Sequence, residues 1–120
     1  MSAPASAARI YKICSRAVFD ASHAAGRFLG MPIDHADGYV HFSTAPQLAE
    51  TLRLHFAGQS DLMLFAVPAE PLGDALRWEP SRGGQLFPHL YGDLPMTAIA
   101  ETGTVSVTAE GIVALPDWVR

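Results

Sequence analysis

Residues Leu62 to Val67 form an unbroken apolar run, closed by Asp61 on one side and Pro68 on the other. A strand with one wet face alternates apolar and polar residues. A continuous run of this length reads as a central strand covered on both faces. The chain must therefore supply a second layer on each side of it, and the rest of the sequence is read for those layers.

Upstream, Arg9-Ile10-Tyr11-Lys12-Ile13-Cys14 alternates and reads as a first strand. Ser15 caps a predicted helix over 16–25, with a thin apolar face of Ala17, Phe19, Ala21 and Ala24 and a stop at Gly26. Phe28 to Gly38, rich in Gly, Pro and Asp, reads as a loop. Tyr39 to Ser43 is the second strand. Thr44 opens a helix: Gln47 stands at capping-box spacing, Pro46 falls in the first turn, and Ala45, Leu48, Ala49, Leu52 and Phe56 recur at helical spacing until Gly58.

After the central run, Leu76–Glu79, Pro88–Tyr91 and Met96–Ala100 read as further strands. Arg82-Gly83-Gly84 reads as a turn, and 104–107 with 112–115 as a late hairpin around Glu110-Gly111. Two helices in the N-terminal half followed by a run of strands indicate an α+β domain over 9–120, with residues 1–8 a frayed tail.

Composition excludes several classes. The 120 residues carry a net charge of −4 with scattered basic residues, which argues against a DNA or RNA footprint. No segment approaches the roughly 20 apolar residues of a membrane helix, and the N-terminus lacks the apolar core of a signal peptide, so a cytoplasmic protein is expected. The single cysteine, Cys14, ends an apolar strand and reads as a small buried hydrophobe rather than a nucleophile. Five histidines show no tight ligand spacing, so no metal is expected. His23, His35 and His55 read as ordinary helix or loop residues.

Chemistry concentrates in Gly38-Tyr39-Val40-His41-Phe42-Ser43-Thr44 and in Trp78-Glu79-Pro80-Ser81 through Phe87-Pro88-His89-Leu90-Tyr91-Gly92. Strand parity places Val40, Phe42, Leu76, Trp78 and Leu90 inward. The opposite face then receives Tyr39, His41, Ser43, Arg77, Glu79, His89 and Tyr91. If these strands are neighbours, His41, Ser43, Glu79, His89 and Tyr91 line one cleft. His41 and His89 are candidate acid, base or ligand contacts, against the plainer role of histidines fixed by backbone carbonyls. Glu79 has two readings: a general base raised by burial against Trp78, or a salt-bridge partner of Arg77, Arg82 or Lys12. Ser43 orients a ligand or assists the helix start beside Thr44, and Tyr91 completes the wall. The Arg82-Gly83-Gly84 turn is a candidate anion cradle through its N–H groups, without a P-loop lysine.

Taken together, the Ile-Tyr first strand, Gly-Tyr-Val-His-Phe-Ser, Glu-Pro-Ser and Phe-Pro-His-Leu-Tyr-Gly resemble the DUF952 family of small bacterial proteins over about residues 9–115. The resemblance implies an ADP-ribosyltransferase-like fold, with two small, mostly antiparallel sheets packed together. Its first two strands are similar to those of the RNA 2′-phosphotransferases, where a His-x-Ser segment lies beside the nicotinamide end of NAD. His41 and Ser43 match that segment. The implied function is binding of an NAD-like or phosphorylated small molecule with group transfer. His41, Glu79 and His89 would be the catalytic set, and Lys12, Ser43, Arg82 and Tyr91 the ligand contacts. Lys12 stands where relatives commonly have histidine, and Phe19 where they often have tryptophan. An ammonium pairs with phosphate or carboxylate and cannot act as a neutral acceptor, which favours the alternative of a non-catalytic metabolite- or peptide-binding module.

Overall fold

The computed structural model describes residues 8–120. The expected tail lies outside them except for Ala8, whose carbonyl accepts from the Ala69 N–H at 3.0 Å. Among the described residues, two three-stranded antiparallel sheets and three α-helices make an α+β fold. The first sheet has the order β1 (Arg9–Ser15), β3 (Leu62–Pro68), β6 (Glu101–Val105). The second has the order β2 (Val40–His41), β5 (Leu86–Leu90), β4 (Leu76–Pro80).

The central run is β3, and it is covered on both faces. Leu62, Leu64 and Ala66 face one core cluster with Leu48 and Leu52 of helix α3 (Ala45–Phe56). Met63, Phe65 and Val67 face the other cluster, where Phe42 and, from the second sheet, Leu76, Trp78 and Leu90 meet them. Phe65 is the hub. Its ring lies 5.4 Å from Phe28, 6.2 Å from Phe19 and 6.5 Å from Phe42.

Helix α1 (Arg16–Ala25) runs over the expected residues. Ser15 Oγ accepts from the Val18 N–H at 3.2 Å, and Gly26 closes the helix at φ 79°. In α3, Gln47 reaches back to the Thr44 N–H at 3.0 Å, and its amide also donates to the Leu86 carbonyl at 2.8 Å. One contact caps the helix and the other ties it to the second sheet.

Four expectations are corrected. The predicted loop 28–38 contains α2 (Pro32–Asp37), with Pro32 at its first turn and Gly38 at φ 83° closing it. The predicted strand Met96–Ala100 is instead a 3-10 turn over Met96–Ala98, because the Ala98 N–H bonds back to Pro95 at 2.9 Å; the strand begins at Glu101. The late hairpin shrinks to a Val107–Val113 bridge, since Thr104 and Val105 pair with β3. The second strand narrows to Val40–His41, because the chain leaves β5 and crosses to β1. The Phe42 N–H still bonds to Pro88 at 3.0 Å, while Ser43 exchanges both backbone bonds with Tyr11, at 2.8 and 2.9 Å. This short segment sews the two sheets together.

Tyr11 is fully buried, stacks 6.4 Å from Trp118, and its hydroxyl donates to the Arg120 carbonyl at 2.8 Å.

Truncating Phe65 to Ala should cost about 3–5 kcal/mol in urea unfolding, because three rings lose their common neighbour. Ile112→Ala, at a residue 67% exposed, should change stability little under the same measurement.

Candidate functional site

The outer face of the second sheet carries the candidate chemistry, and register puts it together. His41 stands directly opposite His89, and His89 in turn opposes Arg77. The two imidazoles are 5.5 Å apart, and the Tyr39 ring lies 4.5 Å from His41, 4.2 Å from His89 and 5.1 Å from Tyr91. Arg77 sits 4.4 Å over the Tyr91 ring.

The two histidines have different partners. His89 Nδ1 bonds to Glu79 Oε1 at 2.8 Å, and Tyr91 donates its hydroxyl proton to the same oxygen at 2.8 Å. Burial pushes His89 below its ordinary value, with the Glu79 bond opposing. Its Nε2 has no hydrogen-bond partner among the described residues. His41 uses both nitrogens, Nδ1 on Asp34 at 2.7 Å and Nε2 on Asp37 at 2.8 Å.

Asp34 is the most heavily used group. Its Oδ1 takes Lys12 Nζ at 2.9 Å, the His41 N–H at 3.0 Å and His41 Nδ1; its Oδ2 takes the Met31 N–H at 2.7 Å. Burial alone would raise its carboxyl. The bond from His41, the Lys12 charge and the two backbone N–H groups outweigh that and hold it well below the usual carboxylate range. Lys12 is lowered by burial, with Asp34 pulling the other way.

Beside the histidines lies a cavity of about 400 Å³. Tyr11, Phe42, Phe56, Phe87, Met31 and Ile33 give it apolar walls; His41, His89, Ser43, Thr51 and Arg82 give it polar groups. Arg82 Nη1 donates to Thr51 Oγ1 at 3.2 Å, and the guanidinium lies 4.9 Å from the Phe87 ring centre. Ser43 Oγ and Thr51 Oγ1 share a bond at 3.1 Å, and Thr51 also donates to the Gln47 carbonyl at 3.1 Å.

The structure thus brings Lys12, His41, Ser43, Arg82 and His89 to one cavity. Glu79 and Tyr91 are not in its lining and reach it through His89. Lys12 is only 4% exposed, and its ammonium faces Asp34. Three expectations change. Glu79 is not raised by Trp78: the indole enters the core from the other face of β4, and the bonds from His89 and then Tyr91 lower the carboxyl. Its partner is His89 rather than Arg77, Arg82 or Lys12. The Arg82-Gly83-Gly84 turn offers no cradle, because the Gly84 and Gln85 N–H groups close on Ser81 and Arg82 at 2.8 and 3.3 Å; the Arg82 side chain enters the cavity instead. His55, read as an ordinary helix residue, lines the cavity with Gln59. Cys14 is buried, and burial pushes its thiol up to about 12, as suits an inert residue.

Sequence reasoning missed Asp34, Asp37, Tyr39 and Thr51 as site residues. Pro32 and Gly38, at first-turn and closing positions, were the available signal for the helix that carries the two aspartates. Tyr39 shares its strand face with His41, so parity alone marked it.

This chain belongs to the DUF952 family. The family, whose members are proteins of unknown function, matches residues 13–102. The crystal structure of protein CC0527 from Caulobacter crescentus is similar, with a TM-score of 0.84 and 47% identity over 88% of this chain and 93% of that one. A crystal structure of a double mutant of CC0527 gives 0.83 and 46% over the same shares. The solution structure of CC0527 gives 0.77 and 48%, over 87% of this chain and 90% of that one. No curated protein matches. Among the described residues no helix of this DUF952 chain is long and apolar enough to cross a membrane, and no group of three or more His, Cys, Asp or Glu is placed to hold a metal ion.

Asp34→Ala should cost about 3–5 kcal/mol, because it strands the Lys12 ammonium in the interior. The pH sign follows from the lowered carboxyl. The stability Asp34 supplies is whole above its ordinary value of 3.8 and is lost as pH falls below it, towards the folded value. Urea midpoints measured from pH 7 down to pH 3 should fall less steeply for Asp34→Ala than for the unaltered protein.

Proposed function

We propose that this cavity binds a phosphorylated, nucleotide-like small molecule. The observation that carries the reading is Arg82. Its guanidinium borders an apolar-walled cavity and, among the described residues, pairs with no carboxylate within 4 Å; its side-chain contacts are Thr51 and the Phe87 ring. A planar guanidinium positioned by a hydroxyl and an aromatic face, with no carboxylate in contact, suits bidentate pairing with an anion such as phosphate. The aromatic walls suit a heterocycle, and the volume falls in the range of small-molecule sites.

In this reading the two sheets form an ADP-ribosyltransferase-like scaffold, and the ligands include NAD-like molecules. The bound molecule lies along Arg82, Ser43 and Thr51, with the histidine pair at the other end. His41, Glu79 and His89 then serve group transfer from an NAD-like donor. A second reading, binding without catalysis, is favoured by Lys12. Its ammonium sits on Asp34, so the first strand gives the cavity neither an imidazole nor an accessible charge.

Calorimetry with NAD, ADP-ribose and AMP should show millimolar or tighter binding of at least one. Arg82→Ala should weaken it about ten- to hundredfold, as loss of a charged hydrogen bond does. The absence of any heat at millimolar ligand refutes the reading. Mass-detected loss of NAD on incubation with the protein decides for transfer, and unchanged NAD alongside measurable binding decides for the binding module.

A further inference from the structure

The two imidazoles at the histidine end are not equivalent. Both nitrogens of His41 are taken, by Asp34 and Asp37. His89 is fixed on one side only: Nδ1 is held by Glu79, which Tyr91 holds in turn. The residue is 4% exposed and lines the cavity, and the Tyr39 ring lies tilted against it at 4.2 Å. A carboxylate on Nδ1 selects the tautomer with its proton there and leaves a lone pair on Nε2. Burial favours the neutral ring that this tautomer requires.

A neutral imidazole nitrogen of this kind only accepts, so what sits there must donate. The Thr51 hydroxyl proton is committed to the Gln47 carbonyl and that of Ser43 to Thr51, while in this reading the Arg82 guanidinium faces the phosphate. An ammonium on the ligand would be disfavoured by the Arg82 charge that shares the cavity. A neutral alcohol fits both conditions.

We propose that His89 Nε2 is a hydroxyl-recognition point: it accepts the hydrogen bond of an alcohol group on the bound molecule, with Glu79 as the positioning residue that sets the tautomer. The proposal rests on the reading that a phosphorylated molecule occupies the cavity through Arg82. It narrows that class to sugar phosphates and nucleotides with a free sugar hydroxyl.

The probes are AMP and 2′,3′-dideoxy-AMP, which share phosphate and base and differ in the sugar hydroxyls. AMP should bind about tenfold tighter or better. His89→Phe, which keeps a ring and removes the acceptor, should abolish the preference, so that AMP and the dideoxy probe bind alike. Glu79→Leu should shrink the preference by freeing the ring tautomer. A readout on the unaltered protein stands apart from any variant's folding: in long-range proton–nitrogen spectra, His89 should show protonated Nδ1 and bare Nε2, with the Nε2 resonance moving on addition of AMP and staying in place with the dideoxy probe. Equal affinity for the two probes, a preference that survives in His89→Phe, or a proton found on Nε2 each overturns the proposal, and Arg82-dependent binding then stands alone. If neither probe binds, this proposal falls, and the phosphate reading falls with it only when NAD and ADP-ribose give no heat either.

Discussion

A single carboxylate, Asp34, holds the functional end of this protein in place. It comes from α2, takes the ammonium of β1 and both the backbone and the ring of His41, and caps its own helix at Met31. An unpaired ion at this depth would be costly, and the cost is offset only because every contact forms at once. The lysine, the helix and the histidine therefore hold their positions as a unit. The wall of the cavity formed by Met31, Pro32 and Ile33 belongs to the same helix, so the mouth of the site depends on that ion pair too.

The two sheets separate stability from chemistry. Their facing sides share one apolar cluster through β3, and the second sheet turns its polar face outward. The crossing at Phe42 and Ser43 links them, with one residue bonded to β5 and the next to β1. Chemistry-bearing side chains thus sit one residue away from core side chains on the same strands, which gives them rigid support. The family match and the likeness to CC0527 fit this architecture, and the chemistry must be argued from the side chains themselves.

Much of the fold was legible where one residue run answers to one environment. Leu62 to Val67 is apolar throughout because both its faces are covered. Alternation in β2, β4 and β5 sorted His41, Glu79, His89 and Tyr91 to one side, since parity is local. Register is not local: nothing near His41 in the sequence says that His89 stands opposite. Nor does Asp34 announce Lys12, 22 residues earlier. Helix α2 was hidden because Met31, at its cap, is not a residue type that signals a start. The indole beside Glu79 misled for a reason parity already contained: adjacent residues on a strand face opposite ways.

Tyr11 joins the cavity wall to the end of the chain, with its ring against Trp118 and its hydroxyl on the Arg120 backbone. Trp78, the second indole of the chain, is locked in the core between the sheets, away from that wall. The protein therefore carries its own optical reporter. A molecule that presses on Tyr11 changes the surroundings of one tryptophan and leaves the other as an internal reference, so emission intensity can follow occupancy without an attached dye.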